Sequence, residues 1–153
     1  MRALELKIPP IVIVLFLGAV MYAAGRLAPA FGFVLPANRI IASGLAASGV
    51  IVALLGVVSF RRAGTTVNPL QPAAASRLVV SGIYGRTRNP MYLGMLLVLL
   101  GWGAILTNTL AFLAATAFIP LMNRLQIGPE ERILTATFGP AFTAYQSAVR
   151  RWI

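Results

Sequence analysis

The chain has 153 residues, of which 59% are hydrophobic and 10% are charged, and 13 basic residues against three acidic ones give a net charge of +10. This balance excludes an ordinary soluble domain and is typical of a small membrane protein with a single domain. The chain contains neither cysteine nor histidine, which excludes disulfides, thiol nucleophiles and histidine acid–base chemistry and argues against a metal site of the zinc type. The arginines lie in short segments between apolar runs, so membrane topology explains the basic charge without a nucleic-acid partner.

Two apolar runs in the first part of the chain predict two membrane-spanning helices. The first, at about residues 8–25, has Pro9 and Pro10 at its start, where proline is tolerated. A signal peptide is the alternative, because basic residues precede this run and Ala28-Pro29-Ala30 resembles a cleavage site; we expect a retained anchor. The second, at about residues 40–60, has the length of a bilayer core. It carries small residues that allow helices to approach closely: Gly44, Ser48, Gly49, Ala53 and Gly56.

Two further apolar runs, at about residues 91–107 and 110–127, meet at the polar residues Thr107-Asn108-Thr109. Such a short connection predicts that the last two spans form a tight antiparallel hairpin. Pro120 interrupts the second run, and a proline inside the membrane frees a carbonyl group and bends its helix. Two roles are open for Pro120: it creates space on the cytoplasmic side, or it is a kink without function.

The segments outside the membrane differ strongly in basic charge. Residues 128–153 are polar enough to lie outside, with Gly139-Pro140 dividing them into two helices, and Ala73 to Val80 is predicted as a short interfacial helix. With four spans and a cytoplasmic N-terminus, eleven basic residues fall inside and only Arg26 and Arg39 outside. The sequence therefore predicts an all-α polytopic membrane protein of one domain, in a prokaryotic inner membrane, with both termini in the cytoplasm.

A polar, arginine-bearing loop leads into the third apolar run. Asn89 suits the N-cap of the following helix and Pro90 suits its first position. That helix therefore starts with unpaired backbone N–H groups and a positive dipole end, close to Arg86 and Arg88. Such an end suits a carboxylate or a phosphate. A capped membrane helix with a positive cytoplasmic flank explains the same residues without a ligand.

Two of the three acidic residues, Glu130 and Glu131, are adjacent in the chain. They follow Pro129 and so fall in the first turn of a helix, where acids complement the helix dipole. Alternatively, one carboxylate holds the ammonium group of an amino-acid-like ligand. No predicted span carries a central ionisable residue, which argues against a transporter.

Several short motifs occur in order in the second half of the chain. They are Gly82-Ile83-Tyr84, Arg88-Asn89-Pro90-Met91-Tyr92-Leu93-Gly94, Glu130-Glu131, Phe138-Gly139, Tyr145 and Val149-Arg150. From about Gly64 to its end, the chain resembles the integral-membrane family of isoprenylcysteine carboxyl methyltransferases and phospholipid N-methyltransferases. The signature of that family is an Arg-His-Pro-x-Tyr run followed at a distance by paired glutamates. Asn89 stands where the family has its histidine.

The resemblance implies methyl transfer from the cofactor S-adenosylmethionine to a lipophilic acceptor that enters from the bilayer. It assigns the following residues to the cofactor site: Tyr84, Arg88, Asn89, Pro90, Tyr92, Leu93, Glu130 and Glu131. Tyr92 has a competing interpretation as an interfacial aromatic residue. The resemblance also implies a catalytic role for Arg150 in presenting the acceptor, with Tyr145 about one helical turn before it. Arg151 is interpreted instead as an anchor to anionic headgroups.

The identity of the acceptor stays open on the sequence alone. A carboxylate is already ionised and needs no base, whereas an amine or a thiol must lose a proton with no histidine to take it. This favours an anionic acceptor, or one activated by a glutamate or by solvent. The resemblance implies an isoprenylcysteine-like carboxylate, with a phospholipid amine such as phosphatidylethanolamine or a small thiol as alternatives. The alternative outside catalysis is a membrane scaffold or a transport accessory.

Overall fold

The computed structural model describes residues 5–64 and 76–153, which form α-helices and turns with no β-strand. Within these residues, Pro29–Phe31 and Gly82–Gly85 form short 3-10 turns, and Asn123–Ile127 forms a wider π-helical turn. The α-helices, numbered in chain order, are α1 (Pro10–Leu27), α2 (Asn38–Arg62), α3 (Pro90–Leu106), α4 (Thr109–Thr116), α5 (Phe118–Met122), α6 (Gly128–Phe138) and α7 (Pro140–Ala148).

Three helical stretches of the described chain are long and apolar enough to cross a membrane: Pro10–Leu27, Asn38–Arg62 and Thr109–Phe138. The last stretch joins α4, α5, the π-helical turn and α6 into one continuous helix. Helix α3 is also apolar but has only 17 residues. At 1.5 Å per residue it therefore spans about 25 Å, somewhat less than the hydrocarbon layer. These helices confirm the predicted all-α polytopic membrane fold.

The second helix of the hairpin is longer than the span predicted from the sequence. Its helix does not stop near residue 127 but continues through the π-helical turn into α6, which ends at Phe138. Pro120 is exposed and lies inside α5, so it does not end this helix. Residues 76–80 of the predicted interfacial helix are not helical, and residues 73–75 lie outside the described part of the chain.

Helices α2 and α3 pack so closely that their crossing requires glycine. A Cβ atom added to Gly49 would lie 2.5 Å from the carbonyl oxygen of Gly94, and one added to Gly94 would collide with the carbonyl oxygen of Gly49. Nearer the start of α3, a Cβ on Gly56 would lie 3.0 Å from the Met91 side chain. Gly44 has nothing within 4 Å of such an atom. The predicted close packing of small residues therefore rests on Gly49, Ala53 and Gly56 and does not include Gly44.

The hairpin turns at Thr107 and Asn108. Thr107 adopts the left-handed conformation with φ +46°. The buried Asn108 side chain accepts hydrogen bonds from the backbone N–H groups of Leu110 (3.0 Å) and Ala111 (3.2 Å). Its amide also donates to the carbonyl of Ala28 at 2.9 Å. Asn108 therefore caps α4 and ties the hairpin turn to the end of α1.

Replacement of Asn108 by alanine should lower the free energy of unfolding by about 2 kcal/mol, because it removes a helix cap and leaves buried backbone groups unpaired. Thermal unfolding of the purified protein in detergent measures this change. Thr109→Ala, at the exposed neighbouring position, is the control and should alter stability by less than about 0.5 kcal/mol. Equal unfolding temperatures for the two variants would show that the cap contributes nothing.

The N-terminal segment binds the other end of the long hairpin helix. The Leu6 N–H donates to the Leu125 carbonyl at 3.0 Å, and the buried Gln126 side chain donates to the Ile8 carbonyl at 2.6 Å. Glu5 forms an exposed ion pair with Arg132, in the first part of α6. The start of α6 is thereby fixed against the segment that leads into α1.

Arg26 and Arg39 lie at the hairpin end of the bundle. Arg26 is in the last turn of α1, where a Cβ on Gly25 would lie 3.6 Å from the Leu106 side chain at the end of α3. Arg39 is at the start of α2, which runs antiparallel to α3. The two basic residues predicted to lie outside are thus separated from the arginines beside the start of α3.

Candidate active site

Three parts of the chain meet at the end of the bundle that is opposite the hairpin turn. They are the turn Gly82–Gly85 with the start of α3, the start of α6, and the residues after α7. The hairpin places the starts of α3 and α6 side by side, because α3 and the long helix run antiparallel. Val149 has an extended backbone (φ −126°, ψ 133°), so the chain leaves α7 there. The C-terminal segment, residues 149–153, then lies against the loop before α3.

Arg88 is the centre of this meeting point. Its Nη1 donates to the carbonyl groups of Gln146 (2.7 Å) and Val149 (2.8 Å). Its Nη2 donates to Glu131 Oε1 at 2.8 Å, and the side chains of this ion pair are 12% and 13% exposed. The Nε atom of Arg88 is buried and has no hydrogen-bond partner within the described part of the chain. Arg88 therefore links α6 to the end of α7, and its buried Nε donor remains unused.

Arg151 is the second cation on Glu131. Its Nε donates to Glu131 Oε1 at 3.1 Å, and its Nη2 donates to Oε2. The interpretation of Arg151 as a simple headgroup anchor is therefore wrong. Arg150 has an exposed side chain, and its carbonyl accepts a hydrogen bond from the Arg88 N–H at 3.0 Å. The extended backbone after α7 turns Arg151 inward and Arg150 outward. No local sequence signal indicates which of these two adjacent arginines faces the site.

Asn89 occupies the N-cap position of α3, with Pro90 as the first helical residue, but its side chain makes no capping hydrogen bond. Its Nδ2 donates instead to the Arg151 carbonyl at 2.8 Å. The hydroxyl of the buried Thr87 accepts from the Asn89 N–H at 3.2 Å and donates to the same carbonyl at 3.4 Å. The polar side chains before α3 thus bind the C-terminal segment and do not close the start of the helix.

Glu130 contacts Tyr92, whose hydroxyl donates to Glu130 Oε1. Tyr92 is 4% exposed and packs in the main apolar cluster of the protein. The alternative of an interfacial aromatic residue therefore does not apply to Tyr92. The two glutamates have different partners: Glu131 pairs with arginines, and Glu130 with a phenol. They do not share one environment, although they are adjacent.

Tyr84 and Tyr145 belong to a second, smaller apolar cluster beside the site. The Tyr145 hydroxyl donates to the Tyr84 carbonyl at 2.7 Å, and the Phe60 ring packs edge-on against the Tyr84 ring at 5.2 Å. Burial raises the pKa of Tyr145 to about 12, against the opposing influence of Arg88. Burial, Tyr145 and Glu130 likewise raise the pKa of Tyr84. Both phenols are therefore protonated near neutral pH, and the Tyr145 hydroxyl is bound to backbone.

Two of the predicted site residues, Pro90 and Leu93, and one residue that was not predicted, Trp152, also lie near this end of the bundle. Pro90 is buried against α2, and Leu93 is half-buried one turn into α3. Trp152 was not predicted: its indole N–H donates to Asn123 Oδ1 at 3.1 Å, and its ring lies 6.4 Å from that of Phe118. The sequence signal for this residue is a large aromatic side chain directly after two arginines in the C-terminal segment. Trp152 fastens the C-terminal segment to the π-helical turn.

The sequence of this all-helical membrane protein matches a known protein family. Residues 37–141 match the family described as phospholipid methyltransferase. The chain belongs to this family of integral-membrane methyltransferases, which includes isoprenylcysteine methyltransferase-like members. The chain is also 44% identical over 63 residues to an uncharacterized protein of Haemophilus influenzae, a match that covers 41% of this chain and all of that relative. No solved structure matches the chain.

Proposed function

We propose that this protein transfers a methyl group from S-adenosylmethionine to a lipophilic acceptor that reaches the site from the bilayer. The observation that supports this most directly is the contact between the loop before α3 and the paired glutamates, at Arg88 and Glu131. These two signatures are far apart in the sequence, and family membership gives their meeting a chemical meaning. A scaffold role does not by itself account for the buried Arg88 Nε donor that has no partner among the described residues.

The residues present fit the amino-acid end of the cofactor. That end carries a carboxylate and an ammonium group, which need a cation and an anion side by side. Arg88 has a buried Nε donor without a partner, and the adjacent carboxylates of Glu130 and Glu131 supply negative charge. A buried donor without a partner costs stability unless a ligand or water completes it. We assign Tyr84, Asn89, Pro90, Tyr92 and Leu93 to the walls of the same site.

When bound, S-adenosylmethionine supplies a methyl group on a positive sulfur, which a nucleophile of the acceptor takes by direct displacement. The residues of this chain position the reactants and exclude water. Trp152 anchors the C-terminal segment beside the site, and it packs against the same apolar cluster as Tyr92. The phenols stay protonated, so they serve as hydrogen-bond donors in this proposal and do not remove protons.

An isoprenylcysteine-like carboxylate is the acceptor that we favour. The chain has no histidine, and a carboxylate needs no base before it attacks. The exposed side chain of Arg150 lies beside the site and is available for such a carboxylate. A phospholipid amine or a small thiol is the alternative acceptor. The basic residues around this end favour its placement at the cytoplasmic face of a prokaryotic inner membrane.

The proposal predicts that the purified protein binds S-adenosylhomocysteine and labels a lipid. Calorimetry in detergent tests the binding, and incubation of membranes with methyl-labelled cofactor identifies the acceptor. Arg39→Ala, at the hairpin end, is the control and should bind with unchanged affinity because it lies far from the site. A wild-type protein that binds no S-adenosylhomocysteine and labels no lipid would leave only a scaffold or transport role.

A further inference from the structure

The paired glutamates differ in how much hydrogen-bonding capacity they have left. Glu131 accepts from Arg88 and Arg151 at Oε1 and again from Arg151 at Oε2. Both of its oxygens are thus used by cations of the chain itself. Glu130 accepts only from Tyr92, at Oε1, among the contacts of the described residues. Its Oε2 atom retains its full capacity to accept a hydrogen bond.

The charges around Glu131 also disfavour a role in holding an ammonium group. Two guanidinium groups against one carboxylate leave this cluster with a net positive charge. A ligand ammonium group would meet repulsion from both arginines there, whereas a ligand carboxylate would be attracted. The unpaired Nε of Arg88 belongs to this same cluster and offers that carboxylate a buried donor. The cluster thus has the character of an anion site.

We propose that the two glutamates have different roles. Glu130 binds the ligand ammonium group, while Glu131 is a positioning residue that orients Arg88 toward the ligand carboxylate. This inference rests on the proposed function and goes beyond it, because family resemblance treats the glutamates as one unit. Glu131 acts through Arg88, and Arg151 holds Glu131 from the other side. The backbone carbonyls of Gln146 and Val149 hold Nη1 and Glu131 holds Nη2, so together they give the guanidinium group one orientation.

Three ligands separate the two roles. S-adenosylhomocysteine carries both charged groups, its decarboxylated form keeps only the ammonium group, and methylthioadenosine lacks both. Glu130→Gln should weaken the first two by about tenfold each and leave methylthioadenosine unchanged, since one charge-assisted hydrogen bond is lost. Glu131→Gln makes the cluster more positive, but Arg88 then loses the carboxylate that orients it. We therefore expect this variant to weaken S-adenosylhomocysteine by about tenfold and the decarboxylated form by less than about twofold, the same pattern as Arg88→Gln.

Arg151→Gln gives a second measure if Glu131→Gln folds poorly. It leaves the Arg88–Glu131 pair in place and should show the same ligand pattern with a smaller effect. Arg132→Gln, next to Glu131 in sequence but paired with Glu5 on the exposed side of α6, is the control and should bind all three ligands normally. A purely structural role for Glu131 would weaken all three ligands alike.

The inference is overturned if Glu131→Gln weakens the decarboxylated ligand as strongly as S-adenosylhomocysteine, or if Glu130→Gln weakens neither. These results differ from failure of the proposed function, in which the wild-type protein binds none of the three ligands. Isothermal titration calorimetry of each variant in the same detergent provides all of these comparisons, with the unfolding temperature as a check on folding.

Discussion

Arg88→Ala is expected to lower the kcat/KM of methyl transfer by about a hundredfold or more. Arg88 is the buried cation that meets Glu131 and two carbonyls near the end of α7. Its removal takes away the proposed partner of the ligand carboxylate and leaves Glu131 with one cation in place of two. Transfer of labelled methyl groups into membrane lipid, measured at several cofactor concentrations, gives the loss.

Arg86→Ala is the matched control, because Arg86 lies two residues earlier and is exposed. It should retain nearly full activity. Arg88→Lys separates charge from geometry: a lysine keeps the positive charge but lacks the planar fork that joins a carboxylate and two carbonyls. We expect its activity to lie between those of the wild type and Arg88→Ala. An Arg88→Ala enzyme as active as Arg86→Ala would remove this residue from the site.

Gly94→Ala is expected to destabilise the fold by about 3 kcal/mol, although it adds a single methyl group. The new Cβ would collide with the Gly49 carbonyl oxygen and would lie 2.9 Å from the Ala53 Cβ. Both obstacles belong to α2 and are part of its backbone or fixed to it, so the helices must separate. The unfolding temperature in detergent and the yield of monodisperse protein measure the effect.

Gly44→Ala makes the same chemical change in α2 at a position with open space. Alanine favours a helix over glycine by about 1 kcal/mol, so this variant should be as stable as the wild type or more stable. If Gly94→Ala also left the unfolding temperature unchanged, this result would contradict the close contact between α2 and α3 at Gly49 and Gly94. Because the start of α3 carries Asn89 and Tyr92, separation of these helices would also disturb the site.

The fold class was predictable because hydropathy over a bilayer-length window is a strong signal that does not depend on tertiary contacts. The hairpin was predictable for a similar reason, since Thr107 and Asn108 leave no room for any other connection. The continuation of the last span into α6 was not predictable from hydropathy, because that signal ends where polar residues begin. A helix is free to continue past that boundary, and here it carries the glutamates.

The site residues divide in the same way. The pairing of the loop before α3 with Glu131 follows from motifs, and the structure brings these residues together. The role of Arg151 depends instead on the path of the chain after α7, which alternates side chains by position. Asn89 shows where local rules fail. It is a good capping residue, but its side chain binds the Arg151 carbonyl because the C-terminal segment offers a nearby acceptor. The catalytic assignments of Arg150 and Tyr145 stay predictions.

The π-helical turn at Asn123–Ile127 sets the rotational phase of everything after it. One residue more or fewer in a helix turns the following side chains by about 100°. Between this turn and the glutamates there is only helix, with no loop to absorb a mistake. A one-residue insertion in the regular helix between this turn and Glu130 would swing both carboxylates away from Tyr92 and Arg88 while leaving the hydropathy profile intact. Such an insertion is therefore expected to abolish the proposed methyl transfer while leaving the membrane-spanning helices in place.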